Sequence, residues 1–419
     1  MNAIGIDYQQ TLTAVWLREE NEAGAHLRSI GDGLRSLIPN LAVDEGGWGS
    51  RAALAGESLD ERSSAEGPWL AEPGAAVFWR CLYRRVTGYL GRVKPIPRNG
   101  YQVVVAIPSV GSAAGPTIER FGRDAGFDAL RVIRTTDAVL ARWLAEGATE
   151  EPRDRLVAVV AVGDTTTLVG AGRLGTDADG RPALHFPDDA VTIVPTGFQG
   201  WLTATLEAVQ ERLDQPLGVG SHLVMRDAAI AFGRRLSLAS RDQTTAWSGP
   251  FHDEMFASLE VSPRDAESWP GAQELDQRIP EAIRRAVSVL GADRRPDLAL
   301  VGGIGAAWPF ARRAVGRVAP TWQSQDPIED VARGAAWWPS LIATLAPLDR
   351  PSLSEPSANL LLPSGEGREN PPDDRAALPV TKAESSRGSA VPSDGAAEDA
   401  ATAPSVPPWL RDGGHDGSH

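Results

Sequence analysis

Hydrophobic positions along this chain fall into short continuous runs separated by polar turns, with stretches of helical spacing between them. The opening residues set the theme: AIGID, a polar YQQT, then LTAVWL, across Ala3–Leu17. Two β-rich runs around a short polar turn predict an antiparallel hairpin. A second unit begins at Leu156, where LVAVVAVG, DTT and TLVGAG repeat that layout without repeating its sequence. Between them, Tyr101–Ile107 (YQVVVAI) is the continuous apolar run of a strand buried on both faces. Ser36–Val43 predicts a strand broken by proline, and Leu130–Ile133 a short strand. Asp297–Val301 predicts a buried strand running into Gly302 and Gly303, and Thr244–Trp247 a short β segment. The DADG of Asp177–Gly180 reads as a turn. Helical spacing covers Ala75–Leu90, Thr117–Ala125 with Gly126 as its stop, and Asp137–Leu144 with Asp137 near its N-cap. It recurs over Gly197–Leu213, Asp227–Leu238, Ala272–Leu290, Pro309–Val315 and Asp326–Trp338. Strands and helices in this order predict an α/β fold.

Periodicity stops near Leu348. From Pro351 onward Pro, Ser, Gly, Ala and acids dominate, so the segment cannot bury enough surface to offset its ordering entropy. The expected organisation is an ordered region over 1–348 and a disordered tail over 349–419. Within the tail, Val406–Leu410 (VPPWL) puts bulky apolar residues after a stiff proline pair, as a docking peptide would; chance in a proline-rich tail accounts for it equally well.

Charge narrows the function classes. A net charge of −14 and a pI near 5.0 exclude a phosphate-backbone binder, so no nucleic-acid partner is expected. One cysteine, Cys81, rules out an intramolecular disulfide and gives no zinc spacing, which points to a reducing compartment. The start of the chain lacks a basic region followed by an apolar one, and the longest apolar run, Ala335–Leu348, contains Pro339 and is too short to span a bilayer. A cytoplasmic protein without membrane contact is the expectation.

The candidate chemistry sits in the opening hairpin. Asp7 ends the first strand, and Thr11 and Thr13 follow in and just after the turn. Hydroxyls and turn amides bond phosphate oxygens, and a carboxylate holds metal-bound water; from the hairpin alone, an ordinary β-hairpin with a solvated turn is the simpler reading. Other matches lack context. Gly170–Gly175 (GAGRLG) satisfies GxGxxG but runs towards a turn rather than a helix. His222 has no partnered acid and reads as a loop residue, and Cys81 reads as a buried, inert thiol.

Six segments in order resemble the ATPase domain of the seventy-kilodalton heat-shock chaperones, within the actin-like ATPase superfamily. GIDYQQTLTAVWL resembles the family's first phosphate hairpin, GIDLGTTNSxVA, and VAVVAVGDTTTLVGAG its second, VFDLGGGTFDVS. VVAIPSVGSAAGPTIERFGRDAGFDALRVI is similar to the strand-and-helix segment VxTVPAxFxxxQRxATxxAGxxAGLxVLRxI. FGRRLSLAS resembles the adenosine-side AKRxLSSS, LALVGGIGAAWPFARRAV resembles VVLVGGSTRIPxVQxLV, and DPIEDVARGAAW resembles the closing NPDEAVAxGAA. The resemblance implies two sheet-and-helix lobes around a nucleotide cleft, lobe I over 1–155 plus 325–348 and lobe II over 156–324. It implies ATP or ADP with magnesium as ligand. Asp7 would hold the metal through water. Asp7 and Asp164 would carry the catalytic role, and Thr11, Thr13, Gly163, Thr165, Thr166, Arg234, Ser237, Gly302 and Gly303 would bind nucleotide. The family's peptide-binding domain has no counterpart.

The departures bear on chemistry. Gln9 and Gln10 stand where the family has a glycine and a threonine, Ala161 and Leu168 replace its second-hairpin aspartates, and Thr135 replaces a glutamate. The lysine of its first-lobe helix falls at Arg80 or Cys81. An anionic Asp164 would either take over the metal-orienting role or repel a triphosphate. Losing groups that position and neutralise phosphates predicts hydrolysis that is very slow or absent. Two expectations follow: a chaperone-like nucleotide-binding protein whose lobes open and close on a protein partner, or a non-enzymatic pseudo-ATPase scaffold that binds its partner through the lobes and the VPPWL motif.

Overall fold

The computed structural model describes residues 2–21, 24–33, 36–42, 47–54, 74–93, 101–108, 114–127, 130–146, 154–176, 182–203, 207, 221–252, 255–342 and 346–347. The chain divides into two units, Met1–Pro356 and Ser357–His419, and the second lies outside the described residues, with the Val406–Leu410 motif. The Asp177–Gly180 turn and most of Gly197–Leu213 also lie outside them, although 198–203 are helical.

The first unit is α/β, built on two mixed sheets. The first holds β1 (Asn2–Tyr8), β2 (Leu12–Asn21), β3 (Gly24–Ser29), β4 (Leu37–Pro39), β5 (Tyr101–Ile107) and β6 (Leu130–Arg134), in the order β3–β2–β1–β5–β6 with β4 on β2. The second holds β7 (Arg155–Val162), β8 (Thr167–Thr176), β9 (Pro182–His185) and β10 (Val191–Val194). A separate ribbon, β11 (Thr245–His252) with β12 (Met255–Val261), comes next in the chain. Strands β13 (Leu298–Gly302), β14 (Thr321–Gln323) and β15 (Ala346–Pro347) complete the second sheet, ordered β14–β13–β7–β8–β9–β15. Both sheets repeat one plan. The leading strand pairs antiparallel with its hairpin partner (β1 with β2, β7 with β8) and parallel with a later strand (β5, β13). The sequence layout repeated because the topology does.

Strand alternation sorts the side chains into three cores. Ile4, Ile6 and Tyr8 of β1 and Val103, Val105 and Ile107 of β5 pack with Phe78, Trp79 and Leu82 of the helix Gly74–Val93 and with Ile118 and Phe121 of the helix Ala114–Ala125. On the second sheet, Ala158, Val160 and Val162 of β7 and Val301 of β13 meet the helices Pro270–Val289 and Pro309–Gly316. There Trp201 stacks on Phe310 with ring centroids 4.1 Å apart. The remaining faces share a third core. Val104 and Ala106 of the first sheet and Val157, Val159 and Leu300 of the second enclose Val139 and Leu140 of the helix Thr135–Glu146 and Val331 and Ala335 of the helix Asp330–Ile342. Small residues allow this closeness. A Cβ on Gly5 would stand 2.0 Å from the Ala332 carbonyl oxygen, and one on Gly334 1.8 Å from that of Ala138.

Element boundaries differ from the sequence expectations at several ends. The helix expected from Asp137 starts at Thr135, because the Asp137 carboxylate accepts from the Arg134 amide (3.2 Å) and guanidinium and so caps from inside the first turn. The helix expected from Asp326 begins as a short 3-10 turn, Pro327–Glu329, and continues through Pro339 to Ile342. His222 lies in the helix Ser221–Leu238 rather than a loop. The GAGRLG run is part of β8, where Gly170 and Gly172 make room for the Phe186 ring. Gly126 does end its helix, at φ 112°. No described helix is long and apolar enough to cross a membrane.

Candidate functional site

The two hairpins end in turns of one design. Pairing runs to Tyr8–Thr13 in the first and Val162–Thr167 in the second, leaving four residues in each turn. Each is closed by the same bond at 2.9 Å, Gln9 N–H to the Leu12 carbonyl and Gly163 N–H to the Thr166 carbonyl. Gln10 and Asp164 are therefore equivalent positions, as are Thr11 and Thr165.

The turns face each other and exchange bonds reciprocally. Asp164 Oδ2 accepts the Thr11 amide (2.5 Å) and the Thr11 hydroxyl (2.8 Å). Its Oδ1 accepts the Thr165 amide (2.7 Å) and the Gln10 amide (3.4 Å). In return, Gln10 Oε1 accepts the Thr165 hydroxyl. The second residue of each turn thus reaches the third residue of the other. Gly163 permits the approach: a Cβ there would lie 2.4 Å from Gln9 Oε1 and 2.7 Å from the Thr166 carbonyl oxygen. Gly197 does the same behind the second turn, where a Cβ would meet the Thr166 nitrogen at 2.7 Å.

Both carboxyls are buried, Asp7 at 3% exposure and Asp164 at 0%. Burial pushes Asp7 up to about 8, against the opposing hydrogen bond that the Gln9 side-chain amide donates to it; the Asp164 charge adds to the rise. Asp7 is therefore mostly protonated at neutral pH. Burial also pushes Asp164 upward, and the Thr11, Thr165 and Gln10 donors oppose it. Gln9 Oε1 is buried with no partner.

The other expected site residues are spread more widely. Thr13 is buried and donates to Asn40 Oδ1 at 2.5 Å rather than facing the opposite turn. The Thr166 hydroxyl is buried without a partner. Gly302 and Gly303 close the end of β13 against β7. A Cβ on Gly303, at φ 98°, would lie 2.5 Å from the Val162 carbonyl oxygen, and one on Gly302 3.0 Å from the Val139 side chain. Arg234 stands apart in an exposed ion pair with Asp326 (2.5 Å), and Ser237 lies on the same helix, its side chain outside the described residues. The substituted positions are structural: Ala161 and Leu168 pair across β7 and β8 in the shared core, and Thr135 is buried.

Sequence reading missed two braces. Asn40 accepts from Thr13, donates to the Gln9 carbonyl (2.7 Å), and its amide donates to the Thr11 carbonyl (2.9 Å). Gln199 donates its side-chain amide to the Thr11 hydroxyl (3.2 Å) and its backbone amide to the Asp164 carbonyl (2.5 Å). Neither lies in a resembling motif, so only the fold brings them to the turns.

Magnesium and nucleotide do not fit the turns as they stand. The amides of Gln10 and Thr11 that would receive a phosphate are held by the Asp164 carboxylate. Among the described residues no group of three or more His, Cys, Asp or Glu is placed to hold a metal ion. No protein-family model matches the chain, and no curated protein matches it.

Proposed function

We propose that this chain is a non-hydrolysing relative of the chaperone ATPase domains, a protein-binding module whose two lobes are tied together by Asp164 in place of nucleotide. The observation that carries the reading is the Asp164 carboxylate seated on the Thr11 and Gln10 amides. In a nucleotide-gated clamp an anionic phosphate ties the two hairpins together. Here an anionic side chain supplied by one hairpin occupies the equivalent donors of the other. Closure then needs no ligand, and Ala161 and Leu168, at two of the family's carboxylate positions, cannot orient an attacking water. In this reading the protein is a cytoplasmic scaffold or adaptor for a protein partner, with Val406–Leu410 as an additional docking peptide. Titration calorimetry with magnesium-ATP, paired with thermal shift, tests it. The expectation is neither heat nor stabilisation at millimolar nucleotide; saturable binding with turnover by the unaltered protein would overturn it.

A second reading rests on the same bonds. Donors that hold a carboxylate will hold a phosphate, so nucleotide with magnesium would compete with Asp164 and spread the lobes, making the chain a chaperone-like, nucleotide-responsive regulator with little hydrolysis. It predicts weak binding that tightens in Asp164→Gly, and weakens in Asp7→Ala. No binding by Asp164→Gly would eliminate it.

A further inference from the structure

Far from the turns, β14 is an edge strand: it pairs in parallel with β13, and among the described residues no strand lies on its other side. The register decides which backbone groups are left over. The Ala299 amide donates to the Pro320 carbonyl at 2.8 Å, and Thr321 stands opposite Ala299. Parallel pairing therefore turns the backbone groups of Trp322 towards β13 and those of Thr321 and Gln323 outward. Among the described residues no backbone bond outside the sheet meets these outward groups. Along the same edge runs a groove of about 450 Å³, with Thr321 and Gln323 on one side and Pro309, Arg312, Arg313 and Gly316 of the helix Pro309–Gly316 on the other. Among the described residues its lining holds two arginines and no carboxylate. Arg313 is spent, paired with Glu267 and, at 3.8 Å, with Asp276. Arg312 is exposed and, among the described residues, makes no hydrogen bond or ion pair. The frame is fixed. Gln323 donates its side-chain amide to the Ala306 carbonyl, the Thr321 hydroxyl donates to the Ala319 carbonyl (3.2 Å), and Phe310 and Ala314 root the helix in the core.

We infer that this edge and groove dock an extended, acidic segment of a protein partner, which adds to β14 as a further strand and pairs a carboxylate with Arg312. The outward amides and carbonyls of Thr321 and Gln323 are the pattern that an added strand completes, and such main-chain bonds supply affinity without fixing a sequence. Specificity comes from the groove. A guanidinium fork takes a carboxylate in a bidentate, charge-assisted pair, and Arg312 is the lining cation left for one. In a chain of net charge −14, that local positive sign marks where an acidic segment is accepted. The three residues of β14 span about 10 Å, so the contact is short and the binding weak unless other surfaces add to it. This surface gives the partner binding proposed above a second place on the molecule. It shares no residue with the hairpin turns, so either inference can fail without the other.

The test is calorimetry on the full chain with a capped pentapeptide of alternating threonine and valine around a central aspartate. Two twins serve as controls, one with lysine at the centre and one with N-methylated backbone amides. The aspartate peptide should bind saturably at millimolar concentration or below, more weakly at high salt, and neither twin should bind. Arg312→Gln should weaken binding roughly tenfold, the loss expected for one charge-assisted pair. Its melting should be unchanged, because the exposed Arg312 makes no bond among the described residues. Hydrogen exchange with the peptide bound should slow at the Thr321 and Gln323 amides and not in β5. Equal binding by the N-methylated twin would rule out strand addition, and equal binding by the lysine twin or by Arg312→Gln would rule out the carboxylate pair; each overturns the inference. Absence of saturable binding by the aspartate peptide overturns it too, leaving Arg312 as a charged guard on a bare edge.

Discussion

Replacing Asp164 by alanine removes the group that ties the two hairpin turns. Three good acceptor bonds vanish, from the Thr11 amide (2.5 Å), the Thr11 hydroxyl (2.8 Å) and the Thr165 amide (2.7 Å), with a weaker one from Gln10 at 3.4 Å. Thr11 and Thr165 are half-buried, so water recovers part of each loss, and about 1 kcal/mol per abandoned donor gives about 3 kcal/mol. Relief of a buried carboxylate offsets on the order of 1 kcal/mol of that. The net loss of roughly 2 kcal/mol should lower the melting temperature by roughly 2–4 °C in a chain of this size. Asp164→Asn keeps the shape but turns one oxygen into an NH2 facing either the Thr11 amide or the Thr165 and Gln10 amides. It should therefore be at least as damaging as alanine, because the buried NH2 faces donors and finds no acceptor. Hydrogen exchange localises the effect: protection of the amides at Gln10 and Thr11 should fall roughly thirtyfold in either variant, the ratio that 2 kcal/mol sets, while β5 stays protected. Unchanged melting and unchanged protection in both variants would mean that the carboxylate does not hold the turns, and the proposed function would lose its support.

Asp7 supplies a pH signature. Its folded pKa is raised to about 8 from 3.8, so between those values the folded chain keeps a proton that the unfolded chain has released. Stability conferred by that proton is complete at low pH and falls as pH rises towards 8, by at most about 1.4 kcal/mol per pH unit. Asp7→Asn, which can still accept from Gln9, removes the slope; its melting advantage over the unaltered protein should grow from pH 5 to 8 and then level off, and a pH-independent difference would contradict the assignment. Gly163→Ala should cost about 1–3 kcal/mol, because its Cβ would strike Gln9 Oε1 and the Thr166 carbonyl oxygen. Adding Gln9→Ala should recover the side-chain part of that loss and leave the backbone part, as a double-mutant cycle in denaturant unfolding would read; full additivity would show that the turns do not meet there.

Much of the fold was legible in the chain because strand and helix periods are local. The apolar run Tyr101–Ile107 reappears residue for residue as β5, and the repeated strand–turn–strand layout corresponds to two sheets of one topology. Ends were less legible. Thr135 starts a helix because Asp137 turns back on Arg134, a choice made by side-chain bonding and not by periodicity. The candidate site was half legible. Asp7, Thr11, Gly163, Thr165 and Asp164 were marked, and all five meet at the turns. Arg234, which reads equally as a base-stacking residue or a surface helix arginine, pairs with Asp326 on the surface. Asn40 and Gln199 carried no local signal at all.

By itself the sequence determined where strands and turns form and that two hairpins share a plan, since alternation, turn chemistry and burial preference act over a few residues. Only the tertiary structure decided which donors Asp164 meets. Which partners a buried carboxylate in a turn finds depends on which amides lie within hydrogen-bonding distance. Those amides, at Gln10 and Thr11, lie more than 150 residues away in the chain. Gly5 and Gly334 set that distance by letting two helices pack between the sheets closely enough for the turns to meet.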